Sequence, residues 1–320
     1  MTVGIGAVRC LLPTGFTAVT DLPEMRRLGA REKEFVAQSG VRTVGVFAGR
    51  TPADLAAQAS RELLAGAPRE PDQLILIGPR APEVLIGSDA CQVQFESGLR
   101  DTFPFTLDGL GCAGSSAAWS LARDLIVADP SRESVLITYA SRPTGADRIR
   151  YPVTVIGDGA FAMTLVRGGR PVLRAHRMAA DGRFHGLFRV DYKNSPPEQW
   201  REECRDDDQY KFDLAMQSRS RLGRLVDEVL AAEGVTKADI ATTLMQNVTA
   251  SAYTFYQRSL GLRIHPVCAE HLAEFGHLGA MDVVLNLDRV LSAGELRRGD
   301  LMLVLSNSPV AAWTVTLWEI

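Results

Sequence analysis

The sequence predicts an α/β protein made of two similarly built halves. Three observations carry this reading. Short runs rich in Val, Ile and Leu alternate with longer stretches of helical periodicity, the pattern of buried parallel strands joined by crossover helices. The 320 residues exceed the roughly 100 to 200 of one ordinary domain. The order of elements in the first half also recurs in the second.

Taken in order, the first half offers strands near 73–77, 105–107, 134–140 and 153–157. Helices are expected at 52–65, in the segment after Asp89, and at 112–129. The second half offers a helix at 214–233, a strand at 242–246, a helix at 250–260 and a closing hairpin. Between Phe184 and Phe212 the chain turns polar, with Pro196, Pro197 and the run Asp206, Asp207, Asp208. That stretch reads as a solvated excursion over the surface without a catalytic role.

Composition narrows the class. Hydrophobic residues make up 46%, aromatics only 7%, and the formal charge is −3. Nothing here suits a disordered chain or a nucleic-acid binder. The longest apolar runs, such as 301–305, fall far short of the roughly 20 residues that span a bilayer. The first ten residues, MTVGIGAVRC, lack the basic flank and cleavage site of a secretory signal. A cytoplasmic protein is expected, with neither a membrane nor a nucleic-acid partner. Its cysteines, Cys10, Cys91, Cys112, Cys204 and Cys268, are odd in number and lack a CxxC pair, so reduced thiols and no metal are expected.

One cysteine has a setting with chemical consequences. In PFTLDGLGCAGSSAAWSLARDLIV an apolar strand and a glycine turn lead to Cys112 just before an amphipathic helix. Unpaired N–H groups and the positive end of the helix dipole favour thiolate there. Gly109 and Gly111 permit a tight turn, and the small residues that follow leave room for a thioester.

The segments SDACQVQ (88–94), DGLGCAGSSAAWSLA (108–122) and VIGDGAFAMTL (155–165) resemble ketosynthase III in order and spacing. The resemblance runs from GVR (40–42) to GELRRGDLMLVLS (294–306). It implies the five-layered αβαβα thiolase fold, with pseudo-repeated halves over 1–168 and 169–320. It also implies a homodimer paired through the 88–94 region and an acyl group carried on Cys112. By the same motifs Cys91 is a structural helix residue, and no tightly bound cofactor is expected.

The chain departs from that family where decarboxylative condensation is performed. The histidine of the PHQAN motif falls at Gln246 in LMQNVTA, with Asn247 beside it. The asparagine of the second motif becomes His277 in EFGHLGAMD, five residues before Asp282. A glutamine amide hydrogen-bonds but takes no proton near neutral pH, whereas an imidazole does. Cys112, His277 and Asp282 therefore form a candidate triad, with the carboxylate setting the imidazole tautomer. This segment resembles a branch of ketosynthase III-like acyltransferases of antibiotic biosynthesis that acylate oxygen or nitrogen. His176, His185, His265 and His271 have no such motif support.

In the C-terminal turn SNSPVAAW, Pro309 falls at or beside the second oxyanion donor and has no N–H. Ser308, Val310 and the Gln246 side chain remain as candidates for that donor. At the entrance, the family's coenzyme A-binding Trp and Arg become Glu34 and Gln38, with Arg42 retained. An acyl-phosphopantetheine on an acyl carrier protein is therefore the expected donor, ahead of acyl-CoA, with Arg258 and Arg263 as candidate carrier contacts. The expected function is acyl transfer to a hydroxyl or amine of a small molecule. A starter-unit ketosynthase and a non-catalytic ketosynthase partner are the alternatives, the latter disfavoured by Cys112.

Overall fold

The computed structural model describes residues 2–79, 86–143, 147–196 and 199–320. In chain order the principal elements are β1 (Val3–Leu11), α1 (Ala30–Gln38), α2 (Pro52–Leu64), β2 (Gln73–Ile77), α3 (Asp89–Glu96), β3 (Phe103–Leu107), α4 (Gly114–Ala128), β4 (Ser134–Ser141) and β5 (Gly159–Arg167). The second half follows as β6 (Val172–Ala180), α5 (Ala215–Glu233), β7 (Ile240–Met245), α6 (Ala250–Leu260), α7 (Val267–Phe275), α8 (Met281–Ala293), β8 (Leu301–Ser308) and β9 (Ala312–Glu319).

The strands line up in the order β7-β8-β9-β6-β1-β5-β4-β2-β3. A repeat is visible in the pairing. In the first half β2 and β4 are parallel, while β4–β5 and β5–β1 are antiparallel. The second half matches this with parallel β7–β8 and antiparallel β8–β9 and β9–β6. Even the parallel β2–β3 edge has a remnant counterpart, the single bridge Thr243–Ile264. The two sets meet at β1 and β6, where one pair, Gly4–Val172, is in register.

Helix α2 packs on the outer face of the first set and α5 on that of the second, while α4 touches strands of both. With α8 beside it, α4 forms the middle of five layers. Its first turns are built of Gly114, Ser115, Ser116, Ala117 and Ala118, all buried. Small side chains let it pass between two sheets, and its hydroxyls find partners there: Ser115 Oγ donates to Ala280 O at 2.6 Å. Trp119 packs edge-on against Trp318 from the last strand, centroids 5.3 Å apart. The main core therefore runs through both halves, from Val3 to Trp318, and a smaller cluster lies under α2 and α3. Fully buried Val, Ile and Leu in β2, β4, β8 and β9 explain why these strands read as continuous apolar runs.

Three expectations change. The stretch 153–157 does not enter the main sheet; Ile156 bridges to His277 instead, and β5 closes the first half. Cys112 lies in a 3-10 turn, Gly111–Ala113, with α4 beginning at Gly114. The polar excursion is only partly a solvated surface: Phe184 and Leu187 are buried, and a π-helical turn, Gln209–Leu214, runs directly into α5. Pro197 lies outside the described residues. Among the described residues, no helix is long and apolar enough to cross a membrane.

Candidate active site

Three sequence-distant segments meet at the inner end of a cavity of about 690 Å³. The first is the turn after β3. Gly111 has φ +52°, and a Cβ there would come within 2.4 Å of Ser308 Oγ. Only glycine allows this approach of the Cys112 turn to the end of β8. Cys112 itself is 5% exposed, at the head of α4.

The second segment carries His277. Its main chain is clamped by the first half of the molecule: His277 N donates to Val155 O at 2.9 Å, and Gly157 N donates to His277 O at 3.1 Å. Gly279, at φ +63°, then turns the chain beneath Tyr139, whose hydroxyl would lie 2.4 Å from any Cβ. That turn delivers Asp282 in the first turn of α8.

His277 Nε2 lies 3.1 Å from Cys112 Sγ, and Nδ1 lies 2.6 Å from Asp282 Oδ2. The other acceptor near Nδ1 is Asn247 O, at 3.0 Å. Asp282 is further held by Leu278 N at 2.7 Å and Asn247 N at 3.0 Å. Both His277 and Asp282 are fully buried. Held by these donors, the Asp282 carboxyl group orients the ring through Nδ1, leaving Nε2 for the sulfur. Burial alone disfavours a charged imidazole. Negative charge on Cys112 and then on Asp282, with their hydrogen bonds, outweighs it, and the His277 pKa is raised to about 9.

The third segment is the end of β7. Gln246 donates from Nε2 to Asn307 O at 3.1 Å, so part of its donor capacity is already engaged. Asn247 acts through its main chain, which contacts both His277 and Asp282. Ser308 is buried beside Gly111, and Val310 N points at Ser308 Oγ from 3.4 Å. Val310 N thereby has a partner within its own turn, whereas Ser308 retains a hydroxyl proton to donate.

The cavity wall includes residues that sequence reasoning passed over. Tyr210, Lys211 and Leu214 come from the π-helical turn, and Tyr256 and Phe255 come from α6. The apolar and aromatic spacing of Tyr210, Phe212 and Leu214, right after the acidic run, was the available signal. Glu34 and Gln38 stand at the mouth on α1, with Gln38 Nε2 donating to Glu34 Oε1 at 3.1 Å. Arg258 and Arg263 are exposed. The remaining histidines stand apart: His176 is pushed down to about 4 by burial, and His265 pairs with Glu295. Cys91 is exposed on α3, and Cys268 is buried.

Residues 230–320 match the family model described as 3-oxoacyl-[acyl-carrier-protein] synthase III, C terminal. Across the whole length, the chain is 26% identical over 302 residues to a β-ketoacyl-[acyl-carrier-protein] synthase III of Coxiella burnetii, covering 94% of this chain and 91% of the relative. The enzyme of that name from Thiobacillus denitrificans is 28% identical over 300 residues, covering 92% and 91%. By sequence and fold this chain is ketosynthase III-like. Solved structures agree on the fold. The 3-oxoacyl-[acyl-carrier-protein] synthase III of Aquifex aeolicus superposes with a TM-score of 0.81 at 20% identity, covering 99% and 100% of the two chains. ChlB3, described as an acyltransferase, gives 0.82 at 21%, covering 100% and 98%. AbyA1, described as a tetronic acid condensing enzyme, gives 0.76 at 21%, covering 99% of each. Ketosynthase III-like folds thus accompany both transfer and condensation, and the reaction is to be read from the side chains.

Proposed function

We propose that this ketosynthase III-like protein is an acyltransferase of natural-product biosynthesis. It moves an acyl group from a phosphopantetheine thioester, through Cys112, to a hydroxyl or amine of a small molecule. The observation that carries the reading is the contact of Cys112 Sγ with His277 Nε2, backed on the far side of the ring by Asp282.

The proton inventory closes over two steps. Cys112 thiolate attacks the thioester carbonyl, and as the tetrahedral intermediate collapses the carrier thiolate leaves with the Nε2 proton of His277. The acyl-enzyme then holds a neutral imidazole, because the sulfur no longer bears the charge that favoured the imidazolium. Neutral Nε2 takes the proton of the attacking hydroxyl or amine. Expulsion of Cys112 thiolate restores the ion pair and releases ester or amide. Ser308 O–H, close to the Cys112 turn, supplies the second oxyanion donor beside the main-chain amide of Cys112. Gln246, which holds no exchangeable charge at neutral pH, leaves decarboxylative condensation without its basic partner.

A carrier protein is the donor that fits the Glu34–Gln38 mouth, with Arg258 and Arg263 facing its acidic surface. The working unit is a homodimer paired along the β3 edge, where Phe95 is 83% and Phe103 65% exposed; large exposed aromatics beside an open strand favour pairing. Intact-mass measurement with an acyl thioester tests the nucleophile: the adduct should map to Cys112 and vanish in Cys112→Ala. An adduct on Cys91 or Cys268 would refute the assignment.

A further inference from the structure

Behind His277 and Asp282 lies a second set of buried polar groups that the two transfer steps do not use. Asn286, on α8, is one helical turn beyond Asp282, so both side chains point to the same side. It is fully buried. Its amide nitrogen donates to Met245 O at 2.9 Å and to Asn247 Oδ1 at 2.9 Å. Two carbonyl-type acceptors fix which end of the amide is nitrogen, leaving Asn286 Oδ1 to accept from His271 Nδ1 at 2.8 Å. Burial lowers the pKa of His271, so it serves as a neutral donor.

Asn247 is the link to the chemistry. Its carbonyl stands 3.0 Å from His277 Nδ1, and its amide donates to Asp282 Oδ2 at 3.0 Å. A shift of the Asn247 main chain, which supplies one group from each of its flanking peptides, would disturb the ring and the carboxylate together. Two groups restrain its side chain. Tyr253 O–H lies 3.0 Å from Asn247 Oδ1 and 2.9 Å from Cys268 O, one proton shared between two acceptors. Asn286 Nδ2 donates to the same oxygen, grips Met245 O two residues earlier on β7, and reaches Cys268 Sγ at 3.4 Å, so it ties Asn247 to β7 as well as to α7.

We propose that Asn286 is a positioning residue for acyl discharge, fixing the Asn247 main chain so that His277 and Asp282 keep their mutual geometry. The inference rests on the transfer reading above, in which His277 is the base. The titratable groups meeting the His277 ring are Cys112 and Asp282; Tyr253 and His271 reach it only through Asn247 and Asn286.

The test compares wild type, His277→Ala, Asn286→Leu, Asn247→Ala and the Asn286→Leu/Asn247→Ala double variant, each acetylated on Cys112 with S-acetyl-N-acetylcysteamine. Loss of the acetyl group to water and to ethanolamine is followed by intact mass, and the His277 imidazole is titrated by NMR in the unacylated protein. Asn286→Leu should slow discharge on the order of 10- to 100-fold, the usual consequence of a displaced catalytic group. It should also lower the His277 midpoint by about one unit, a tenfold loss of proton affinity as the Asp282 contact loosens. Asn247→Ala should do the same, and the double variant should add little, since both changes break one link.

Fully additive losses, or a lowered melting temperature with His277 titration and discharge unchanged, would overturn the proposal. If Asn286→Leu does not fold, Asn247→Ala carries the same comparison, and an unchanged midpoint there counts against it. The underlying reading fails separately, when discharge from His277→Ala matches wild type.

Discussion

His277 Nε2 stands 3.1 Å from Cys112 Sγ across a sequence separation of 165 residues. Each residue arrives from a different half of the chain, on a turn where glycine permits an approach that any side chain would block. In the proposed transfer the sulfur and the ring share one proton economy: charge on Cys112 would hold the proton on His277, and acylation of Cys112 would release it.

Replacing the base should therefore separate the two steps. His277→Ala is expected to slow discharge of the acyl group by about 100-fold to 10,000-fold, the usual contribution of a general base. Acylation should suffer less, since the head of α4 still favours thiolate. Asp282→Asn should impair discharge through the tautomer. Single-turnover kinetics distinguish the steps, and equal losses in both would count against this order of events.

The protonation state gives a second check. With its pKa raised to about 9, His277 should be an imidazolium at pH 7.5 and lose its proton as pH rises through about 9. Cys112→Ala removes the first of the raising influences, so the midpoint should move down, as should acetylation of Cys112. NMR of ring-labelled histidine reads this directly. A midpoint indifferent to both changes would show that the sulfur carries no charge at rest.

Removal of the Ser308 hydroxyl tests the oxyanion site. Ser308→Ala should lower both acylation and discharge by roughly 100-fold to 1,000-fold, because each passes through a tetrahedral oxyanion and one such donor is worth about that much. A normal rate in this variant would return the role to Gln246 or Val310.

The β3 edge gives a fourth prediction. Phe103→Asp places a charge on the exposed aromatic edge and should shift the protein from dimer to monomer, as measured by light scattering. A wild-type monomer at micromolar concentration would exclude this assembly.

Much of the architecture was legible because its signals are local. The apolar runs at 73–77 and 134–140 and the capped start of α2, where Thr51 and Asp54 bond reciprocally, depend on neighbouring residues alone. Strands β1 and β6 were not read as strands. Both are interrupted by register shifts, and their exposed faces carry Arg9, Arg174 and Arg177, which blurs the alternation. The 153–157 segment looked like a strand and does pair, in a small hairpin with Ile149–Arg150 and, through Ile156, with His277, a partner no local pattern reveals. At the site, motif and chemistry singled out Cys112, His277 and Asp282, and the fold brings these three side chains together. Tyr210 and Leu214 were not, because their place on the cavity wall depends on a π-helical turn folding the end of a polar stretch inward. Asn286 was equally hidden, since its proposed role runs only through Asn247.

The most direct test follows the fate of the acyl group on Cys112. Pre-acylated protein, freed of donor, is divided between a panel of alcohols and amines and a malonyl thioester, with intact mass, product mass and released carbon dioxide followed over single turnover. The account predicts that the acyl mass leaves Cys112 to form an ester or amide and that the malonyl thioester neither discharges it nor loses carbon dioxide. An acyl-enzyme that resists every alcohol and amine yet condenses with malonyl thioester, releasing carbon dioxide, would contradict it.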